Sequence, residues 1–209
     1  MYLNSKTYVG TLCLLCATLV LGRAQDTISV DQGKSTKQVQ MRIATIFPKA
    51  VGNNFLSKGY DVKPGLATEL LIFCGQHYFM GYQGAIKAAD VNNPSLVGQF
   101  NRSTIQHHYV QGGYSFFPKA NDLGLMLGVG AGFTHYRNSR DDVKFHDNGF
   151  SLMANTTFNY RLSSLFGVVA GMQFSHDFMN TITAPEVKSF FDSAQTLHYS
   201  VGIVMYVKG

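Results

Sequence analysis

The chain has 209 residues, enough for one domain with a sizeable core. Only 14% of its residues are charged, compared with about 25% in a typical soluble protein. Its 17 basic and 12 acidic residues are scattered along the chain. Because a nucleic-acid-binding protein gathers its basic residues in a stripe or cluster, this distribution argues against a nucleic-acid partner.

The first predicted element is a secretory signal peptide over residues 1–24, cleaved from the mature chain. Lys6 precedes the apolar run YVGTLCLLCATLVLG, and the small residues Gly22 and Ala24 stand at the −3 and −1 positions of a cleavage site before Gln25. An uncleaved anchor is the less favoured alternative, since a membrane-spanning helix needs about 20 apolar residues.

Cleavage would leave Cys74 as the only cysteine. Neither an intramolecular disulfide nor a cysteine-rich metal site could then form, and export without disulfides favours the envelope of a bacterium. The next segment, residues 25–38, is polar and shows no hydrophobic periodicity.

From residue 39 onward hydrophobicity alternates with a period of two, which indicates strands with one apolar face. No apolar run reaches the length of a membrane-spanning helix. Eight strands are predicted, near residues 39–50, 63–73, 77–88, 102–117, 122–136, 148–161, 164–177 and 195–207.

The fifth strand shows the alternation most clearly, in the stretch LGLMLGVGAGFTHYR over residues 123–137. Its glycines fall on even positions and its aliphatic residues on odd ones. We interpret the aliphatic face as lipid-facing. The glycines would leave room in a narrow lumen for bulky side chains of other strands, such as Arg42 or Tyr206.

The connections between the predicted strands alternate between long and short. The long ones are 51–62, 89–101, 137–147 and 178–194; the short ones are 74–77, 118–122 and 162–164. Short turns at one end and long loops at the other are typical of outer-membrane barrels. The predicted fold is therefore all-β, an eight-stranded antiparallel up-and-down transmembrane β-barrel over residues 39–209.

Aromatic residues near the predicted strand ends indicate two interfacial girdles, as such barrels carry. The inner girdle, at the end of the barrel with the short turns, is predicted to contain Phe73, Tyr78, Phe116, Phe117, Tyr160 and Phe166. The outer girdle, at the end of the barrel with the long loops, is predicted to contain Phe133, Tyr136, Phe150 and Phe174.

GVGAGF in the fifth strand and GVVAGMQF in the seventh resemble the glycine-rich strands of the small eight-stranded outer-membrane β-barrel proteins of Gram-negative bacteria, the porin-like or outer-membrane β-barrel domain family. The resemblance covers roughly residues 38–209. It implies a place in the bacterial outer membrane, contact with its lipid and lipopolysaccharide, insertion by the barrel assembly machinery, and an external partner bound by the loops. It implies no cofactor. The chain departs from the family by ending IVMYVKG instead of on an aromatic residue.

The predicted lumen contains the polar cluster Arg42, Glu69 and Lys87. An ionised group in a narrow lumen needs a partner, so we expect Glu69 to pair with Arg42 or Lys87. The cluster could be a structural plug, which we favour, or a gate that opens a narrow channel. Other residues predicted to face the lumen are Gln83, Asn155, Asn159, Gln173 and Ser175.

Two further patterns allow other chemistry. His198 and Ser200 are similar to the His-x-Ser pair of lipid A deacylase barrels, although Val201 follows where that family has Asn, and no acidic orienter is evident. Polar residues near the outer strand ends could converge on a divalent metal, without a tight spacing to support it. They are His135, His146, His176, Asp141, Asp142, Asp147 and Asp177.

The predicted function is that of an outer-membrane barrel with a structural or surface-interaction role, or with limited passage of small solutes, and without catalysis or a bound metal. One alternative is a soluble lipocalin-like barrel that binds a hydrophobic ligand inside. A lipid A-modifying enzyme is the less favoured alternative. The lipocalin alternative would place the large apolar side chains inside the barrel.

Overall fold

The computed structural model describes residues 38–116, 123–140, 143–181 and 183–208. The predicted signal peptide lies outside these residues. Eight strands form a closed barrel in which every strand pairs antiparallel with the next and the last pairs with the first. The strands are β1 Gln38–Val51, β2 Tyr60–Cys74, β3 Tyr78–Val91, β4 Arg102–Phe116, β5 Leu123–Arg140, β6 Val143–Arg161, β7 Phe166–Met179 and β8 Ser193–Lys208. The predicted fold class is confirmed.

The two faces of each alternating strand form the outer surface and the lumen of the barrel. Large apolar side chains such as Ile43, Leu70 and Val129 are exposed on the outer surface of the barrel. Polar side chains such as Gln83 and Gln173 are buried inside it. A lipocalin-like barrel would have the opposite arrangement, so that alternative is not favoured. In the described part of the chain no helix has the length and apolar character needed to span a membrane.

Three of the four connections at the outer end of the barrel are longer than those at the inner end, as predicted. At the inner end β2 is joined to β3 by residues 75–77, and β6 to β7 by residues 162–165. At the outer end the connections carry short helices. They are α1 Phe55–Gly59, α2 Pro94–Val97 and α3 Lys188–Phe191, the last preceded by a 3-10 turn at Pro185–Val187. Asn54 begins α1 with a capping box, since its Oδ1 accepts from the Ser57 backbone N–H at 3.0 Å and its own N–H donates to Ser57 Oγ.

The predicted long loop 137–147 is wrong. Strands β5 and β6 continue to Arg140 and Val143, paired through the whole hairpin. Residues 137–140 are all polar, so hydrophobicity no longer alternates there although the backbone remains extended and paired.

Strand β2 begins at Tyr60, before its predicted start at residue 63, and contains a β-bulge. Val62 pairs with Ala89 and Gly65 with Lys87, so two residues of β2 stand opposite one residue of β3. The second of the two is Pro64, which has no N–H to donate, and a bulge tolerates this because its extra residue is unpaired.

The glycines of β5 face the lumen, as predicted. A Cβ on Gly132 would overlap the His108 carbonyl oxygen of β4, and one on Gly128 would overlap the Asn155 side chain of β6. The space is therefore taken by the neighbouring strands. Of the two side chains expected there, Arg42 contacts Met126 of β5 at 2.7 Å, and Tyr206 lies against the Arg161 guanidinium at 4.1 Å.

The aromatic girdles are confirmed only in part. Tyr160 and Phe166 are exposed on the inner half of the outer surface, and Phe133, Phe150 and Phe174 are exposed on the outer half. The predictions that place Phe73 and Tyr136 in the girdles are wrong, because both side chains lie inward and are buried. Phe117 lies outside the described residues.

Candidate functional site in the barrel lumen

Arg42 and Glu69 form an ion pair between neighbouring strands. They stand directly opposite each other in the β1–β2 register, with Arg42 Nη1 3.2 Å from Glu69 Oε2. Arg42 Nη2 also donates to Gln40 Oε1 at 2.8 Å and contacts Met126 Sδ at 2.7 Å. The guanidinium is buried, so these contacts replace the water that its charge would otherwise bind.

Lys87, the third residue of the predicted cluster, lies apart from this pair. Its Nζ is 2.8 Å from His198 Nε2 of β8, and both side chains are buried. The structure therefore brings Arg42 and Glu69 together and places Lys87 in a different group.

That group is centred on Asp177 of β7 and includes His198 through its ring, which lies edge to face with the His107 ring at 6.2 Å between centroids. His107 Nε2 lies 3.1 Å from each carboxylate oxygen, Tyr136 donates its hydroxyl at 2.8 Å, and Ser151 donates its hydroxyl at 2.5 Å. Tyr109 extends the network through a 2.8 Å bond between its hydroxyl and Ser151 Oγ. These side chains come from four consecutive strands, so the Asp177 network ties together one side of the barrel.

Sequence reasoning missed the Asp177 network for two reasons. His107 lies in the stretch IQHHYVQGGYSFF, whose alternation does not show which face of the strand points inward. Asp177 stands in the sequence among polar residues near the outer strand ends. The signal that could have placed Asp177 in the lumen is the alternation of inward and outward positions along β7. In β7 the odd positions face inward, as Gln173 and Ser175 do, and Asp177 continues that series.

Two hydrogen bonds between side-chain amides lie between the Arg42 pair and the Asp177 network. Gln83 Nε2 donates to Gln173 Oε1 at 2.8 Å, and Asn155 Nδ2 donates to Gln111 Oε1 at 3.0 Å. A cavity of about 20 Å³ lies beside them, lined by residues that include Glu69, Gln83 and His198. Its volume suits about one water molecule.

Apolar clusters border the polar lumen at both ends. At the inner end the cluster consists of Leu71, Phe73, Phe79 and Met126. At the outer end the side chains of α1 and α2 pack onto residues of the strand ends, and Phe191 of α3 stacks on Phe55 at 5.7 Å between ring centroids. The buried members of this outer cap are Phe55, Leu56, Tyr60, Ala89, Val97, Ile105, Tyr136, Met179 and Ala194.

The arrangement does not favour the enzyme alternative. His198 and Ser200 both face the lumen, where His198 contacts Lys87, and no hydrogen bond joins the two within the described residues. A lipid chain outside the barrel would meet the opposite face of β8, which carries Tyr199 and Val201.

The described residues contain no group of three or more side chains that could hold a metal ion. His135 faces outward and bonds Asn148 Oδ1 through Nδ1 at 2.6 Å, whereas Asp177 faces inward. Asp141 and Asp142 lie outside the described residues.

No protein-family model and no curated protein sequence matches the chain. Solved structures do. Neisserial surface protein A (NspA) matches with a TM-score of 0.56 and 10% identity, over 81% of this chain and 96% of that one. OprG, an outer membrane protein from Pseudomonas aeruginosa, matches with a TM-score of 0.54 and 12% identity, over 85% and 99%. Ail, the attachment invasion locus protein of Yersinia pestis, matches with a TM-score of 0.51 and 12% identity, over 83% and 99%.

This chain has the fold of the small eight-stranded outer-membrane β-barrels. The likeness extends over nearly the full length of each matched barrel, so it covers the architecture as a whole. At such identities it concerns the fold alone. Ail is also known in complex with the heparin analogue sucrose octasulfate.

Proposed function

We propose that the chain resides in the bacterial outer membrane as a closed barrel with a structural or surface-interaction role and without catalysis. The observation that carries this proposal is the filled lumen, in which a polar network lies between two apolar clusters. An eight-stranded barrel has an interior just wide enough to hold its own side chains. A protein of this kind acts through its outer surface and not through a pore.

The proposed location rests on the outer surface of the barrel. Exposed aliphatic and aromatic side chains lie on the outer surface of all eight strands, with Val110 alone on β4, and a hydrocarbon environment accommodates such a surface whereas water penalises it. The fold likeness to outer-membrane proteins supports the same location.

In this proposal Arg42, Glu69 and Lys87 are parts of a structural plug. Each of these side chains is held by a partner from another strand. Moving one aside would leave a buried charge or donor without a partner, which costs several kcal/mol. The groups are therefore expected to remain closed, and the gate hypothesis is the less favoured one.

The proposed partners follow from the location. Outer-membrane lipid and lipopolysaccharide would surround the apolar belt, and the barrel assembly machinery would insert the chain. The connections at the outer end, including the β5–β6 hairpin, would offer the surface for an external partner. The fold likeness to Ail, the attachment invasion locus protein, supports a role at the surface.

Single-channel recording in planar bilayers tests the closed-barrel proposal. We expect no conductance steps from the wild-type chain or from Glu69→Gln, because the amide keeps the side-chain volume that fills the lumen. A sixteen-stranded porin in the same bilayers serves as the positive control. Discrete steps in the wild type that change in Glu69→Gln would contradict the plug and favour gated passage of small solutes.

A further inference from the structure

Lys87 depends on one imidazole for its hydrogen bond inside the barrel. Its Nζ lies 2.8 Å from His198 Nε2, and both side chains are buried. No carboxylate of the described residues forms an ion pair with Lys87. His198 is therefore the acceptor that replaces water for this ammonium group.

The contact fixes the protonation state of His198. An ammonium group has three N–H donors and no acceptor, so His198 Nε2 must present its lone pair to Lys87. The proton of the neutral ring is then on Nδ1. A second proton can be added only at Nε2, which is the atom that accepts from Lys87.

A second buried histidine responds to an added proton in the opposite way. His107 Nε2 lies 3.1 Å from both carboxylate oxygens of Asp177, so this nitrogen is the donor. A proton added to the ring goes to His107 Nδ1, which has no hydrogen-bond partner among the described residues. Protonation of His107 therefore keeps its contact with the carboxylate, whereas protonation of His198 removes the contact with Lys87.

The charges in the lumen are balanced while the His198 ring is neutral. The buried cations Arg42 and Lys87 are matched by two carboxylates, of which Glu69 is already paired with Arg42. A proton on His198 would put two cationic nitrogens at a contact that is now 2.8 Å long, where little water can screen them. The titratable or charged groups of the lumen around His198 are Arg42 of β1, Glu69 of β2, Lys87 of β3, His107 and Tyr109 of β4, Tyr136 of β5 and Asp177 of β7.

The contact joins strands that are not neighbours. Lys87 is on β3 and His198 is on β8, so the hydrogen bond between them spans the lumen. His198 also lines the cavity that lies between the Arg42 pair and the Asp177 network. Breaking the contact leaves a buried ammonium group without an acceptor in the middle of the plug, which destabilises the closed lumen.

We propose that the Lys87–His198 contact makes the plug acid-sensitive, so that the lumen is stable while His198 is neutral and loosens when the ring gains a proton. The folded chain takes this proton only by breaking the contact, whereas the unfolded chain takes it freely. Stability therefore falls as the pH falls through the range in which an imidazole titrates. The inference rests on the proposed structural plug and adds the condition under which it holds.

Urea unfolding of the full chain in neutral phosphatidylcholine vesicles, followed by the folded gel form at pH 7.5 and at pH 5.0, tests the inference. We expect the wild-type midpoint to be about 1 M urea lower at pH 5.0. His198→Gln should lose most of this difference, because the amide oxygen still accepts from Lys87 but takes no proton. Lys87→Met should reduce the difference as well, because it removes the cation that opposes the proton.

His135→Gln is the matched control. His135 is exposed on the outer face of β5, where it bonds Asn148. The same substitution there removes a titrating imidazole without changing the lumen. This variant should keep the wild-type difference between the two pH values.

Three results would overturn the inference. They are equal wild-type midpoints at the two pH values, a difference in His198→Gln as large as that in wild type, and loss of the difference in His135→Gln. Nitrogen-15 NMR of the wild-type imidazoles decides the matter if His198→Gln does not fold. The contact requires His198 to be protonated on Nδ1 alone at pH 7.5, and a proton on Nε2 would contradict it.

Failure of the proposed function is seen separately. A wild-type chain that does not insert into the vesicles, or that shows conductance steps at pH 7.5, contradicts the closed outer-membrane barrel. An inserted and closed barrel whose unfolding does not depend on pH contradicts only the acid sensitivity of the plug.

Discussion

Asp177 is the residue on which the outer half of the lumen depends. Its carboxylate accepts from His107, Tyr136 and Ser151, which come from three other strands. We predict that Asp177→Ala lowers the free energy of unfolding by about 3–5 kcal/mol, because it leaves buried donors without an acceptor. Urea unfolding in vesicles, followed by the folded gel form, measures the change.

Asp61→Ala is the matched control for Asp177→Ala. Asp61 pairs with Lys63 at the outer end of β2, where both side chains are largely exposed. Such a pair contributes little in water, so this variant should unfold at the wild-type urea concentration. Equal effects of the two substitutions would contradict a central role for Asp177.

At the scale of one element, β5 shows why its glycines are needed. Gly132 brings the β5 backbone so close to β4 that a Cβ would overlap the His108 carbonyl oxygen, whereas the nearest atom to a Cβ on Gly124 is 3.9 Å away. We predict that Gly132→Ala costs about 1–3 kcal/mol, as overpacking does. Gly124→Ala should be close to neutral. Folded yield and urea midpoint of the two variants check the difference, and a neutral Gly132→Ala would contradict close strand packing.

The β5–β6 hairpin shows a limit of prediction at the same scale. Period-two alternation exists only where one face of a strand meets an apolar environment. Beyond Tyr136 the residues of β5 are polar at odd and even positions alike, so the signal is lost although Arg140 still pairs with Val143. The strand ends at the outer rim were therefore the least predictable part of the fold.

For the whole molecule, the orientation in the membrane is open to a direct test. Cys74 is exposed at the inner end of β2, and Asn53 is exposed in the connection at the outer end. We predict that a membrane-impermeant thiol reagent on intact cells leaves wild-type Cys74 unlabelled. Asn53→Cys combined with Cys74→Ser should be labelled under the same conditions.

Permeabilising the outer membrane is the control for the labelling experiment. It should make Cys74 reactive without changing the signal from the Asn53→Cys variant. Labelling of Cys74 on intact cells with an unreactive Asn53→Cys variant would reverse the orientation, and with it the side on which the outer cap lies.

Eight strands, their order, and an apolar outer face could all be read from the sequence. These features are local, because each strand records in its own alternation which side meets an apolar environment. The inward positions of Arg42, Glu69 and Lys87 followed from the same parity. The opposition of Arg42 and Glu69 was also accessible, since neighbouring strands joined by one hairpin limit the possible registers.

The partners of Lys87 and Asp177 were decided by the tertiary structure alone. His107 and Asp177 are 70 residues apart, and Lys87 and His198 are 111 apart. Their contacts depend on closure of the barrel and on the summed registers of several strand pairs, which no local pattern contains. The outer cap has the same origin, since its apolar side chains come from separate connections that meet only when the strands are arranged in a ring.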